Sequence, residues 1–452
     1  MTKPSLHIEA DWPVARKVQT LQDFLGQHYF DENGLMYAMW YWKGEELRPF
    51  RMEDFEGYSY PSSSDGFTPR GHQNNENSAW NSGIFLWSQS LRYQATGDEQ
   101  ALEYAAKAFH SIDYIFKLTE AAGHRGYLCK PYDGQVSKET SPDQYFAVAN
   151  GLWNYRSIAP KAAKERIDFL LPAMIDWWRE RKYTITFFDM EFPATDSNEW
   201  HNPSMTAMNL MAYLITGDMK YQKEALRLVG LGSTLPTYYD MERDRLRRTG
   251  TVYQDYYLPG YLYDESRRDY VIVDYESRGA AWMAVASLPF LFQHDLSRTP
   301  IFKHALYRVW KHMQYGLRDD LLSLYSIQYD VERDIWLPLN VPPTPESEKN
   351  PAYNWHFMAY HSEVCWGDAP SRLPHVSLMA HQYAFDFCPG ALNLAKTLLH
   401  RLDNQRLMWM IDPDGKQLHP LDTWMGHTLS SEVPAFTLLA YWTAQVNGIA
   451  LD

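Results

Sequence analysis

The sequence predicts an all-α protein, a double-layered α/α barrel of twelve helices with one plain rim and one elaborated mouth. Three observations predict it. Helical periodicity recurs along all 452 residues. Connections between helices alternate between short and long. Successive segments alternate between a one-faced apolar stripe and an apolar surface all round. The short joins are Thr96-Gly97-Asp98, Ser157 to Pro160, Thr216-Gly217-Asp218, His294 to Thr299 and Cys388-Pro389-Gly390. The long ones cover about 31–78, 118–141, 183–202, 233–276, 316–371 and 404–431. Loops carried on a rigid scaffold are where chemistry collects, so the long-loop rim is the expected active face.

Taken in order, outer helices are expected at 13–30, 98–117, 160–182, 218–232, 299–315 and 390–403. Their charged faces are typified by Asp98-Glu99-Gln100-Ala101-Leu102-Glu103-Tyr104. Inner helices are expected at 79–95, 142–157, 203–215, 277–293, 372–387 and 432–447. Met205-Thr206-Ala207-Met208-Asn209-Leu210-Met211-Ala212-Tyr213-Leu214 is almost wholly apolar or small, the pattern of a helix enclosed by protein. Every inner helix starts from a long loop, so the inner N-termini line the mouth. Short strands are expected at Tyr183 to Phe188, Tyr270 to Tyr275 and Leu321 to Tyr329. A hairpin is expected at Leu407 to Leu418 around Asp412-Pro413-Asp414-Gly415. These pieces would decorate the mouth. No Pro/Ser/Gly-rich linker divides the chain, so residues 1–452 read as one catalytic domain; a two-domain all-α protein is the rival arrangement.

The net charge of −14 argues against a nucleic-acid partner, which needs a basic footprint. An anionic small substrate stays open, because a few local arginines override the global sign. Aromatic residues make up 15% of the chain, with 17 Trp and 32 Tyr; these suit sugar stacking at the mouth and equally a large helical core. Cys129, Cys365 and Cys388 show no disulfide framework or metal spacing, which fits a reducing compartment. Met1 to Asp11 lacks a signal-peptide core, and no run of 18 apolar residues exists. A cytoplasmic protein with no membrane span is the expectation.

Six clusters fall at the inner-helix starts. They are Arg70 to Trp80, Glu139 to Tyr145, Asp196 to Ser204, Asp274 to Trp282, His361 to Arg372, and Trp424 to Glu432. Carboxylates for proton transfer, arginines for anionic groups and rings for stacking are the furniture of a saccharide site. The catalytic candidates are Asp143, Glu199 and Glu276. The substrate-binding candidates are Trp80, Trp200, His201, Arg278, His361, Trp366, Arg372, Trp424 and His427.

Each candidate has a structural counter-reading. Ser141 and Gln144 have capping-box spacing, Pro142 suits the first helical position, and Asp143 favours the helix dipole. Asp196 to His201 also reads as solvated acids before a helix capped by Asn202 or Ser204. Arg278 can hold a substrate carboxylate bidentately or pair internally with Glu276 or Asp274. His361, Glu363, Cys365 and Asp368 match no trusted metal spacing, and no His-Glu-x-x-His helix, Walker loop, Gly-x-Ser-x-Gly elbow or dinucleotide fingerprint is present. No metal or cofactor is therefore expected.

With its outer/inner hairpins counted over essentially the whole chain, the sequence resembles the six-hairpin (α/α)6-barrel glycosidases. Within them it looks like the unsaturated glucuronyl and rhamnogalacturonyl hydrolases. That resemblance implies an aspartate near an inner-helix start at the barrel mouth, a place that Asp143 in Ser141-Pro142-Asp143-Gln144-Tyr145 occupies. It also implies hydration of a C4=C5 enol ether, with an arginine or polar clamp on the carboxylate. The expected function is a glycoside hydrolase acting on the end of uronic-acid-containing oligosaccharides. A conventional two-carboxylate hydrolase would pair Asp143 with Glu199 or Glu276. A polysaccharide lyase would use His201, His361 or His427 with a nearby Tyr. A sugar epimerase and a non-catalytic glycan-binding toroid complete the alternatives.

Overall fold

The computed structural model describes residues 4–56, 67–187, 190–193, 202–231, 270–273, 281–294, 299–324, 327–330, 335–338, 364–416 and 419–451. The expected outer helices are present as α1 (Val14–His28), α4 (Glu99–Ala121), α6 (Lys161–Glu180), α8 (Met219–Leu231), α10 (Thr299–His312) and α12 (Ala391–Arg401). The inner ones are α3 (Ser78–Thr96), α5 (Pro142–Arg156), α7 (Asn202–Thr216), α9 (Leu288–Gln293), α11 (Asp368–Tyr383) and α13 (Glu432–Val446). A short helix, α2 (Pro69–Asn75), leads into α3.

The short joins work as their residues dictate. Gly97 and Gly217 adopt positive φ of 68° and 70°, ending α3 and α7 in the left-handed conformation that costs glycine nothing. The aspartate that follows each caps the next helix: Asp98 accepts from the Gln100 N–H at 3.0 Å and Asp218 from the Lys220 N–H at 2.9 Å.

Inner segments touch in chain order. α3 packs on α5, α5 on α7, α7 on α9, α11 on α13, and α13 returns to α3. The fourth and fifth members join through Trp282, whose indole N–H donates to His375 Nδ1 at 3.2 Å. α3 and α5 approach most closely where they carry glycine. A Cβ on Gly83 would stand 2.4 Å from the Ala147 carbonyl carbon, and one on Gly151 2.5 Å from the Gly83 oxygen. The outer partners α4, α6, α8 and α12 lie against α3, α5, α7 and α11. A single large apolar core runs between the layers.

Several expectations need correction. The fourth inner helix, expected at 277–293, is interrupted among its described residues: a 3-10 turn at Ala281–Ala284 precedes α9. Pro289 supplies no N–H, which a helix tolerates in its first turn and not in its interior, so the helix restarts there. α11 begins at Asp368 rather than Arg372, which puts an acid into its first turn. The turn around Asp412-Pro413-Asp414-Gly415 does not close a local hairpin among the described residues; β9 (Met410–Ile411) pairs with β8 (Cys365–Trp366).

Among the strands, β1 (Met39–Lys43) lies between β2 (Glu46–Arg48) and β10 (Thr428–Ser430), both antiparallel to it. β3 (Thr184–Phe187) pairs with β4 (Met190–Pro193), and β6 (Ile327–Asp330) lies between β5 (Tyr270–Val273) and β7 (Ile335–Pro338). No helix among the described residues is long and apolar enough to cross a membrane.

Candidate functional site

The starts of α3 and α5 are cross-linked by amides. Gln144 does not close the capping box that its spacing offers: Ser141 makes no side-chain cap bond, and its hydroxyl is left without a partner. Gln144 reaches across to α3 instead. Its Oε1 accepts from the Trp80 backbone N–H at 3.0 Å, and its Nε2 donates to Asn77 Oδ1 at 2.8 Å. Asp143 beside it stays partly open, touched by Gln144 Nε2 at 3.2 Å.

Asn77 carries the connection on to α13, donating to Glu432 Oε1 at 3.3 Å. Glu432 stands in the first turn of α13, where the helix dipole favours an acid. Its second oxygen accepts from both Nε and Nη2 of Arg372 on α11. Arg372 is buried, with its guanidinium 5.2 Å from the Trp80 ring centroid, 5.5 Å from Trp366 and 5.7 Å from Phe436. Asp368, in the first turn of α11, is 1% exposed. Burial and the charge of Glu432 hold its carboxyl well above the usual range, against the pull of Ser430, Arg372 and Trp366. Burial likewise raises Glu432; Arg372 opposes that rise, and Asp143 and Glu76 add to it. Two buried carboxyls beside one guanidinium favour retention of a proton on the pair.

On the opposite side stands Lys130, 3% exposed, with Nζ on Glu76 Oε1 at the α2–α3 junction. Burial alone would lower the ammonium's proton affinity, but Glu76, Asp143 and Glu139 together raise it. Its loop is held rigidly. Lys130 N–H donates to the Glu139 carbonyl at 2.9 Å, Ser137 Oγ to the Lys130 carbonyl at 2.7 Å, and Tyr132 OH to Glu139 Oε2 at 2.8 Å. Asp133, at a φ of 51°, accepts from Thr68 Oγ1 and Arg70 and fixes the loop to α2.

The structure thus brings together Asp143 and Arg372 from the predicted set and joins to them Glu76, Asn77, Lys130, Gln144, Asp368 and Glu432, none of which the sequence reading counted as a catalytic or binding candidate. All but Lys130 lie inside the clusters at the inner-helix starts, and a count of acids in each first turn would have found Asp368 and Glu432. Lys130 sits in a long aperiodic loop with no such signal.

The tryptophan expectations change. Trp80 is 1% exposed, packed against Trp282 and Phe436 under Arg372, so it supports the arginine and offers no stacking face. Trp366 and Trp424 are buried too, in a second apolar cluster with Phe50, Phe55 and Trp409. Arg372 is an ion-paired clamp, not a free one. His427 is half-buried beside Tyr41, and burial lowers its proton affinity. Glu199, Trp200, His201, Glu276, Arg278 and His361 lie outside the described residues. Among the described residues no three His, Cys, Asp or Glu side chains are placed to hold a metal ion.

Over nearly its whole length the chain is similar to solved sugar-active enzymes. A crystal structure of an unsaturated glucuronyl hydrolase specific for heparin superposes with a TM-score of 0.50 and 11% identity, covering 97% of this chain and 98% of that one. A sugar epimerase from a ruminal bacterium does so at 0.50 and 13% identity, covering 97% and 99%. At these identities the likeness is one of fold. No protein-family model matches the chain, and no curated protein does.

Proposed function

We propose that this protein is an (α/α)6-barrel glycoside hydrolase acting on the end of uronic-acid-containing oligosaccharides, with Asp143 as its acid/base carboxylate. One observation carries the reading. Asp143 stands partly open in the first turn of an inner helix, beside the amide bridge that ties that helix to its neighbour. The likeness to a glucuronyl hydrolase supports the substrate class. In the hydration route, a proton adds to C4 of the unsaturated uronide and water adds to C5. The resulting hemiketal opens and the leaving sugar departs with its oxygen protonated. Asp143 is the group through which that proton passes, held in place by the Gln144 amide beside it, and Asn77, partly open next to it, is the nearest amide to a sugar oxygen at this end of α3. The test is incubation with lyase-generated unsaturated uronic oligosaccharides while following the ultraviolet absorbance of the enol ether. Falling absorbance supports the reading; unchanged absorbance across heparin-, chondroitin- and pectin-derived panels overturns it; rising absorbance on saturated polyuronides makes the protein a lyase.

The equal superposition on a sugar epimerase favours a second reading, interconversion of saturated sugars at the same mouth. Solvent deuterium entering C2 of a free reducing sugar, with no bond cleaved, would replace the hydrolase reading by that one.

A further inference from the structure

We propose that Gln144 is a positioning residue for Asp143: its amide nitrogen holds one carboxyl oxygen, Oδ2, and leaves the other, Oδ1, to face the substrate. The catalytic consequence rests on the hydrolase reading; the hydrogen-bond arrangement does not. Three features carry it. The first is the direction of the amide. A backbone N–H can only donate, so the Trp80 N–H, 3.0 Å away, must meet the Gln144 oxygen. Nε2 is thereby turned to Asn77 Oδ1 at 2.8 Å and to Asp143 Oδ2 at 3.2 Å, with one proton for each.

The second feature is that Asn77 is held in the matching direction. Its nitrogen donates to Glu432 Oε1 at 3.3 Å, and the other oxygen of Glu432 is taken by Arg372. Its own oxygen is therefore the end left for Gln144. The third is the ground on which the amide stands. Gln144 is fully buried, and α3 and α5 meet at Gly83 and Gly151 with no room for a Cβ, so its reach to α3 is fixed. Asp143 itself is partly open, and among the described residues its Oδ1 has no hydrogen-bond partner. In the hydration route the proton on Oδ1 passes to C4, the hydroxyl of a water bonds to C5, and that water's second proton returns to Oδ1. Without the Nε2 bond the carboxyl can rotate, and the acid oxygen is no longer presented in one direction.

The first arm of the experiment needs no substrate. In protein labelled with 15N-glutamine, the Gln144 side chain is the amide with a through-space contact to the Trp80 backbone N–H. Asp143→Ala should move one of its two Nε2 protons upfield, and Asn77→Ala should move the other. If Asp143→Ala leaves both in place, the proposal is overturned whatever the enzyme turns over. The second arm is kinetic and uses the unsaturated uronides. Gln144→Met should lower kcat by roughly tenfold or more, as expected for loss of a hydrogen bond to a charged group, with KM little changed. A residue that acts through Asp143 has nothing left to position once that acid is gone. In Asp143→Asn the same substitution should therefore cost no more than about twofold in kcat. Equal losses in both backgrounds would make the role of Gln144 purely structural and overturn the proposal. Where Gln144→Met does not fold, the spectral arm decides. Full activity in Asp143→Asn would reject Asp143 as the acid while leaving the amide bond to it standing.

Discussion

Glu432 takes two donors of Arg372 on one oxygen, Oε2, and leaves Oε1 to Asn77, so a single carboxylate links the starts of α11, α13 and α3. Both partners are buried. Their attraction is set against two desolvation penalties, so the pair is costlier to break than it is stabilising to own.

Breaking it from one side leaves a charge stranded. Arg372→Ala should lower unfolding free energy by about 3–5 kcal/mol in urea titrations. Arg372→Met combined with Glu432→Leu should cost clearly less than the two single changes added together. Additive losses would show that the two side chains do not act as a unit.

The buried acids also set a pH dependence. Asp368 and Glu432 both have folded-state proton affinities above those of the unfolded chain. Their contribution to stability is therefore complete below the ordinary carboxylate range and is lost as pH rises through the elevated folded values. Wild-type stability should fall with pH across that window, and Asp368→Asn should flatten the slope. Identical slopes in the two proteins would rule out Asp368 as the source.

Close contact of α3 and α5 is what brings Gln144 to Asn77. Gly83→Ala would press a methyl group onto the Ala147 carbonyl. The expected cost is about 1–3 kcal/mol, read as a lowered Tm. The same strain should part the helices and weaken turnover more than Gly97→Ala does, since nothing lies within 4 Å of a Cβ there.

Asp143→Asn keeps the side chain's shape and removes the proton transfer proposed for it. Turnover of the unsaturated substrate should fall by roughly 100-fold or more, with the unfolding curve little changed. A variant as active as wild type would take Asp143 out of the chemistry and turn attention to Glu432 and Glu76.

Much of the helical layout was legible because each helix writes its own pattern. Apolar periodicity located α4, α6 and α7 to within a few residues, and Thr-Gly-Asp marked two of the short turns by their backbone requirements. The β1–β2 pairing inside the loop at 31–78 was missed, although Met39-Trp40-Tyr41-Trp42 is rich in strand-forming rings. A run that short carries no periodicity strong enough to separate strand from loop.

The site was less legible than the frame. Asp143 was singled out because its residue type and its place at the start of an expected inner helix coincide. Trp80 was misread because its sequence neighbourhood is rich in polar groups, while its surroundings in space are Trp282, Phe436 and Arg372.

What the sequence by itself determined is the alternation of enclosed and half-exposed helices, and with it which rim holds the long loops. Those follow from local hydrophobic spacing and turn chemistry, which act within a few residues. Only the tertiary structure decided that Gln144 would serve α3 rather than its own helix cap, that Glu432 would meet Arg372, and that Lys130 would be buried among acids. The physical reason is that the desolvation and charge of a group depend on neighbours far along the chain. Lys130 and Glu76 are 54 residues apart, and Arg372 and Glu432 are 60 apart.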